Sequence, residues 1–574
     1  MFPLAKKISF LENLSRTLTK AAFVVAFFTL FSSFLGMVRD RLLASYFGAG
    51  SELDVYYAAF RIPDFFYNTV MVGLISSAFL PVLSHYLHLN GAKGEVKEKP
   101  DSQQQSGSIP TLRFPSETQN FIHSLMTVLA CGLIVAIGIL WFLVPVITNW
   151  IVPGFSSEQK EITGSLTRIM LLSPVFLSFS GLIGNILNLR KFFFFYSLAP
   201  VVYNLGSIIA IIFFVPFWGV KALACGIVMG AIFHFLIQFG PAFLMGLRIR
   251  VRWNPQHEGV RKVFKMMLPR GIHLGVLQMN LIIITLLAST LPTGSLAVFN
   301  FANNLQSLPL GIFGASYAIA AFPAFSILVA KKKKSQFRNE FVRIMGQVLF
   351  FIIPLSAFLI ILRAQVVRIV LGSGKFDWED TILTLNVLGV LAISLFAQSL
   401  NLLFTRAFFA LQDMVTHLKS GIIGLIVNLL VGLTVVKFWP HIASQLEQQA
   451  HLSGLKSPIV GLALAYAASQ IATFVFLLVG LHGYLKGIDI RAVKKTLFKI
   501  ALATFIAGMA AQAAKWSWGI FFPLSSFFAV FGQVVFAGLV GIAFYLLICK
   551  NLKCQELKCI YKELPSFIQR KNPR

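Results

Sequence analysis

The chain has 574 residues, 57% of them hydrophobic and only 12% charged, about half the roughly 25% charged share of an ordinary soluble domain. A net charge of +28 would suggest a nucleic-acid partner in a soluble protein. Here the bases sit in short loops beside apolar runs, so they read as membrane topology and no nucleic-acid partner is expected. There is no Walker-type phosphate loop, Gly-x-Ser-x-Gly elbow or His/Cys metal cluster, which argues against an ATP-driven pump or a catalytic domain and leaves no cofactor or metal to expect.

Fourteen apolar segments follow one another, near 21–46, 65–88, 120–150, 163–189, 195–216, 219–243, 264–290, 295–328, 338–362, 382–411, 414–437, 457–485, 495–516 and 524–549. Each is at least about 20 residues, enough for a helix to cross a hydrocarbon core of roughly 30 Å. The first follows Lys6, Lys7, Arg16 and Lys20 like a signal peptide, but it is too long and lacks a small-residue cleavage site, so it reads as a retained helix. The hydrophilic stretch 89–117 is expected to be a mobile cytoplasmic loop. Counted from an inside N-terminus, the even loops hold most of the bases: Arg190-Lys191, Arg248 to Lys262, Lys331 to Lys334, and Lys486 to Lys495. The odd loops are nearly bare, so both termini are expected to be cytoplasmic. Cys131, Cys225, Cys549, Cys554 and Cys559 form no disulfide or metal pattern.

Two parts of the chain repeat each other. Leu42-Leu43-Ala44-Ser45 with Gly50-Ser51 matches Leu286-Leu287-Ala288-Ser289 with Gly294-Ser295. Pro81-Val82-Leu83-Ser84 matches Pro323-Ala324-Phe325-Ser326, and Pro63 corresponds to Pro309. A six-helix repeat keeps both copies in one orientation, a transporter design in which substrate binds between the halves. The fold expected is an all-α polytopic membrane protein with about 14 transmembrane helices. Two six-helix lobes, 1–243 and 244–485, are related by a pseudo-two-fold; two further helices and a basic tail occupy 486–574.

Ionisable residues at membrane depth are costly and mark function by default. Helix 1 should continue past its purely apolar part, because Leu42, Leu43, Tyr46 and Phe47 still offer an apolar side. Arg39, Asp40 and Arg41 then lie inside it, and neighbours on a helix do not face each other, so Asp40 is not expected to neutralise Arg39. Each arginine either faces a cavity or snorkels to the interface. Arg61, just before Pro63, and Arg270, after Pro269, carry the same pair of readings, and Asp54, between helices 1 and 2, is a candidate partner for Arg61. Asn303, Asn304 and Gln306 either bind substrate or bridge helices. The second-half counterparts of Arg39 and Asp40 are Ile283 and Ile284, so positive charge gathers in the N-terminal lobe and suits an anionic substrate.

At these residues the chain resembles the lipid II flippase family of MurJ/MviN type, within the multidrug/oligosaccharidyl-lipid/polysaccharide exporter superfamily. The resemblance is carried by Phe34 to Asp40, Phe47-Gly48-Ala49-Gly50 with Asp54, Ala59 to Pro63, Ser77 to Ser84, Ala199-Pro200 with Asn204, and Leu308 to Gly311. It implies a monomeric, non-enzymatic protein of the bacterial inner membrane, among whose partners are membrane lipids. Its substrate would be an undecaprenyl-diphosphate-linked peptidoglycan precursor, moved to the outer leaflet by alternating access. Arg39, Arg61, Arg270, Asn303 and Asn304 would line the cavity; Asp40, Asp54, Gly36, Gly48, Gly50 and Pro63 would support or gate it. Ser33, Tyr67 and Asn304 stand where the family usually has arginines, and Val72 where a glutamate is common. A flippase for another polyprenyl-linked glycan, a cation-coupled drug exporter and a membrane scaffold are the rival readings.

Overall fold

In hydrocarbon every backbone N–H and C=O must find its partner inside the protein, which helices do within a single segment. The computed structural model describes residues 18–72, 79–92, 114–190, 192–450, 457–485, 487 and 490–559; among them the chain is helical, with no strand. Among the described residues eleven helices are long and apolar enough to span a membrane, or twelve when Trp378–Ile393 and Leu395–Leu411, bent by 47°, count as one. Two of the fourteen expected segments, 65–88 and 264–290, fall partly outside the described residues. The stretch 65–88 is interrupted by the π-wound Tyr67–Val72 and then leaves the described residues. In 264–290 the apolar helical part among the described residues is Leu274–Ala288, since the side chains of 268–270, 272, 273 and 277 lie outside them. Residues 93–113 of the hydrophilic loop, 560–574 of the basic tail and the side chain of Arg270 lie outside the described residues.

Contacts divide the chain into two compact units, Met1–Leu43 with Gly50–Thr290, and Ala44–Ala49 with Leu291–Arg574. The N-terminal unit holds α1 (Leu18–Phe47) up to Leu43, α2 (Ser51–Phe66), α3 (Leu80–Ala92), α4 (Ser116–Ile151), α5 (Ser157–Met170), α6 (Ser173–Leu189), α7 (Phe193–Trp218), α8 (Val220–Leu244) and α9 (Glu258–Ala288). The C-terminal unit holds α10 (Ser295–Pro309), α11 (Ser316–Ala330), α12 (Lys334–Ile361), α13 (Arg363–Val370), α14 (Trp378–Ile393), α15 (Leu395–Leu411), α16 (Met414–Ala450), α17 (Pro458–Tyr484), α18 (Ile490–Phe521) and α19 (Phe527–Asn551). It also claims the last turn of α1. There Gly48 has φ +62° and lies against the Lys375 carbonyl, Lys375 N donates to Ser45 O at 2.9 Å, and Ala49 N donates to the Asp380 carboxylate at 2.8 Å.

Each unit is packed by small residues and aromatics, not by a water-driven apolar collapse, since lipid tails are as apolar as leucine. Between α7 and α8 a Cβ on Gly206 would meet the Gly230 backbone at 2.6 Å, and one on Gly226 would meet Ala210 at the same distance. The C-terminal unit is filled by Phe325, Phe337, Phe341, Phe350, Phe404 and Phe408. Large apolar side chains such as Phe142, Trp150, Phe217 and Phe528 stay on the outside, as a lipid-facing surface requires.

The repeated motifs take repeated shapes. Gly50 caps α2, which contains Pro63 and passes into the π segment Tyr67–Val72. Gly294 caps α10, which ends in Pro309 and passes into the π segment Leu310–Ala315. A proline inside a helix also deprives the carbonyl four residues earlier of its donor. Three such carbonyls are served from a neighbouring helix. For Pro63, the Thr167 hydroxyl lies 3.2 Å from Ala59 O; for Pro145, Arg168 Nε lies 3.4 Å from Trp141 O; for Pro354, the Tyr545 hydroxyl donates to Phe350 O at 2.7 Å.

Removing the last of these donors by Tyr545→Phe is expected to cost about 1 kcal/mol, the usual worth of a hydrogen bond at such a site. The midpoint of thermal unfolding in detergent should fall accordingly. An unchanged midpoint would mean that Phe350 O finds a donor elsewhere.

Candidate functional site

α1 is unbroken from Leu18 to Phe47, so Arg39 and Asp40 are helical residues about 12 Å from its Phe47 end. Gly36 lies inside the helix with open space around it, whereas Gly48 ends it. Asp40 is buried, while Arg39 keeps 23% of its side chain accessible. The expectation that Asp40 would not neutralise Arg39 is overturned. Arg39 Nε and Nη2 both donate to Asp40 Oδ1, at 3.1 and 2.9 Å. Adjacent side chains leave a helix about 100° apart, but the arginine stem is long enough to fold its fork back onto a short neighbour.

The other edge of the guanidinium reaches Asn204 on α7, whose Oδ1 is 3.5 Å from Nη1. That amide is itself held, because Asn204 Nδ2 donates to the carbonyl and hydroxyl oxygens of Ser32 at 3.1 and 3.0 Å. One edge of Arg39 is thus spent on Asp40, and the Nη1 edge makes only this long contact among the described residues. A planar fork with one edge open can still take an anionic oxygen pair. Tyr56 and Tyr57 of α2, with ring centroids 5.2 Å apart, are buried close enough for the Arg39 charge to act on both.

Arg61 lies on α2 of the N-terminal unit. It is buried, and its Nε donates to the Thr285 hydroxyl of α9 at 2.8 Å, so it ties α2 to α9 inside the N-terminal unit. Asp54 is not in a connection between helices; it lies in the first turn of α2 and is buried. Arg270 lies on α9 of the same unit, its side chain outside the described residues. Asn303 and Asn304 belong to α10 of the C-terminal unit. There Gln306 Nε2 donates to Asn303 Oδ1 at 3.0 Å, and Gln398 Nε2 of α15 donates to Gln306 Oε1 at 3.1 Å, a chain of amides that bridges helices.

The structure adds residues that the sequence reading passed over. Asp64, Tyr203 and His234 line a cavity of about 230 Å³ in the N-terminal unit, together with Tyr67, already named above, and Phe60, Pro63, Ser173, Leu177 and Pro200. An available signal was His234 alone in the middle of an apolar span, since a polar residue at that depth marks a function or a bridge.

Asn204→Ala removes the amide that holds Ser32 and Arg39 to α7. It is expected to lower stability in detergent by about 1 to 2 kcal/mol, read as a lower unfolding midpoint.

The model of the family described as lipid II flippase MurJ matches residues 43–532. A probable lipid II flippase MurJ of Vibrio cholerae serotype O1 is 27% identical over 521 residues, covering 88% of this chain and 92% of that protein. Another, of Thermotoga maritima, is 26% identical over 536 residues, covering 93% and 96%. A solved lipid II flippase MurJ in an inward closed conformation superposes with a TM-score of 0.70 at 22% identity, covering 92% of this chain and 99% of that one. An inward-facing multidrug resistance transporter of the MATE family follows at 0.61 and 15%, covering 81% and 96%. These two likenesses concern the fold. With the family model matched over most of its length, this multi-pass membrane protein belongs to the lipid II flippase MurJ family.

Proposed function

We propose that this chain moves a lipid-linked peptidoglycan precursor, an undecaprenyl-diphosphate carrying the cell-wall headgroup, from the inner to the outer leaflet of the bacterial inner membrane. The observation that carries the reading is Arg39: an arginine inside a membrane helix, oriented by Asp40 and Asn204, with one edge open to an anion. The diphosphate takes the open Nη1 edge while Asp40 keeps the guanidinium from swinging, and the polyprenyl tail stays in lipid. A guanidinium remains protonated throughout, so binding needs no proton transfer. Arg270 and the amides of Asn303 and Asn304 are further candidates for the headgroup, and Arg61 acts from behind by fixing α2 against α9. Access then alternates between the two sides, with Gly36 as the bending point of α1. Both termini are cytoplasmic in this reading, and the chain works as a monomer with no catalytic step.

A second reading, a flippase for another polyprenyl-linked glycan, draws support from Ser33, Tyr67 and Asn304, uncharged where the family is usually basic. The same Arg39 serves either headgroup, so only transport of the purified lipids separates the two.

Arg39→Ala should fail to support growth of a flippase-depleted strain while inserting in the membrane at the wild-type level, and Arg39→Lys should lose at least about tenfold in flipping because a lysine cannot offer two edges. Normal growth with Arg39→Ala would remove that residue from the mechanism. For topology, a cysteine replacing Lys333 in a cysteine-free background should react with an impermeant maleimide only after cells are opened. One replacing Lys375 should react in intact cells. Reversed labelling would overturn the orientation.

A further inference from the structure

The polar face of the N-terminal unit does not end at Arg39. Behind it lies the 230 Å³ cavity lined by Asp64, Tyr67, Tyr203 and His234. Its titratable members come from different helices yet share a depth. Measured along each axis, Asp64 lies about 20 Å from the Ser51 end of α2, His234 about 21 Å from the Val220 end of α8, and Tyr203 about 22 Å from the Trp218 end of α7. Each is therefore more than half a hydrocarbon thickness from that end of its helix.

The chain invests structure in holding these groups there. Asp64 follows Pro63 and precedes the π segment Tyr67–Val72, a winding that is often found at functional sites. Asn68 Nδ2 donates to Asp64 Oδ1 at 2.7 Å and to the Asp64 carbonyl at 3.1 Å, so one carboxylate oxygen is clamped. Asp64 Oδ2 makes no hydrogen bond among the described residues. Across the cavity, Ser180 Oγ lies 2.7 Å from His234 Nδ1 and 2.9 Å from the His234 carbonyl. The hydroxyl has one proton. Given to the carbonyl, it makes Nδ1–H the donor to Oγ and leaves Nε2 as the open position of the ring.

Few charges oppose or duplicate this pair. On α2, Arg61 acts electrostatically on Asp64 from one turn away, but its Nε is committed to Thr285. On α7 the titratable neighbours are Tyr196 and Tyr203, on the π segment Tyr67, and on α1 the paired Arg39 and Asp40. α6 contributes Ser173 and no titratable group to the cavity; Glu158, Lys160, Glu161 and Arg168 of α5 do not line it. The side chains of Arg270 and His273 on α9 lie outside the described residues.

We infer that this cavity is a proton-binding site: the Asp64 carboxylate takes up a proton to become the neutral acid and later returns it, with His234 and Tyr203 as its polar neighbours. A carboxylate at this depth is expensive to keep charged, and one that loses and regains its charge changes the cost of exposing or closing its helix. On α7, Tyr203 lines the cavity and the next residue, Asn204, accepts from Arg39 Nη1, so protonation is coupled to the anion site on α1. That coupling rests on the transport reading above; proton binding does not.

The experiment separates the two. Difference infrared spectroscopy of the full chain in phospholipid bilayers, without lipid-linked substrate, follows the C=O stretch of protonated carboxyl groups as pH is stepped. Wild type should show a titrating band that is lost in Asp64→Asn and regained, displaced in frequency, in Asp64→Glu; His234→Gln should keep the band and move its midpoint by about one pH unit. The same bands in wild type and Asp64→Asn, or a band that follows sodium at fixed pH, would overturn the assignment. In proteoliposomes an imposed pH gradient should change the flipping rate about tenfold in wild type and not in Asp64→Asn. Equal response of both would overturn the coupling. A titrating Asp64 band in a wild type that flips no lipid-linked precursor would remove the transport reading and leave the proton site standing.

Discussion

The constraint on which everything else depends is that hydrocarbon offers no partner to a polar group. Each proline in a spanning helix leaves a carbonyl to be served, and in three cases the donor is a side chain from the neighbouring helix. Thr167 and Arg168, consecutive on α5, serve two different helices, α2 and α4. The prolines that bend the helices thereby also dictate which helices must lie side by side. The same demand governs the charges: Arg61 is bound to Thr285, Arg39 to Asp40 and Asn204.

This gives the arginines separate tasks. In the transport reading proposed above, Arg61, its Nε committed to Thr285, would belong to the frame, and Arg39, with one edge left over, would take the ligand. A buried ion pair is weak evidence for stability, because desolvation offsets most of the Coulomb gain. In the transport reading, Asp40 would aim Arg39 and lower the cost of holding a cation in α1. Asn204 performs the same service from α7, and does so by way of Ser32, a residue with no charge at all.

Much of this was legible in the chain as written. Hydropathy located nearly every spanning helix, and the motif pairs Gly50/Gly294 and Pro63/Pro309 became caps and proline–π breaks in both units. What failed did so for physical reasons. Counting by hydropathy cannot see that Tyr67–Val72 winds as a π-helix. The rule that adjacent helical residues do not meet fails for Arg39, whose reach exceeds the separation it describes.

Apolar length, the alternation of basic loops, the repeat and the presence of arginines inside helices are properties of local sequence, and they suffice for a polytopic α-helical transporter. Partnerships are not local. Arg61 with Thr285, Asn204 with Ser32 and Tyr545 with Phe350 join residues far apart in the chain, as does the cavity that Asp64 and His234 both line. Depth is written along each helix, but the face it turns to its neighbours emerges only when the helices pack.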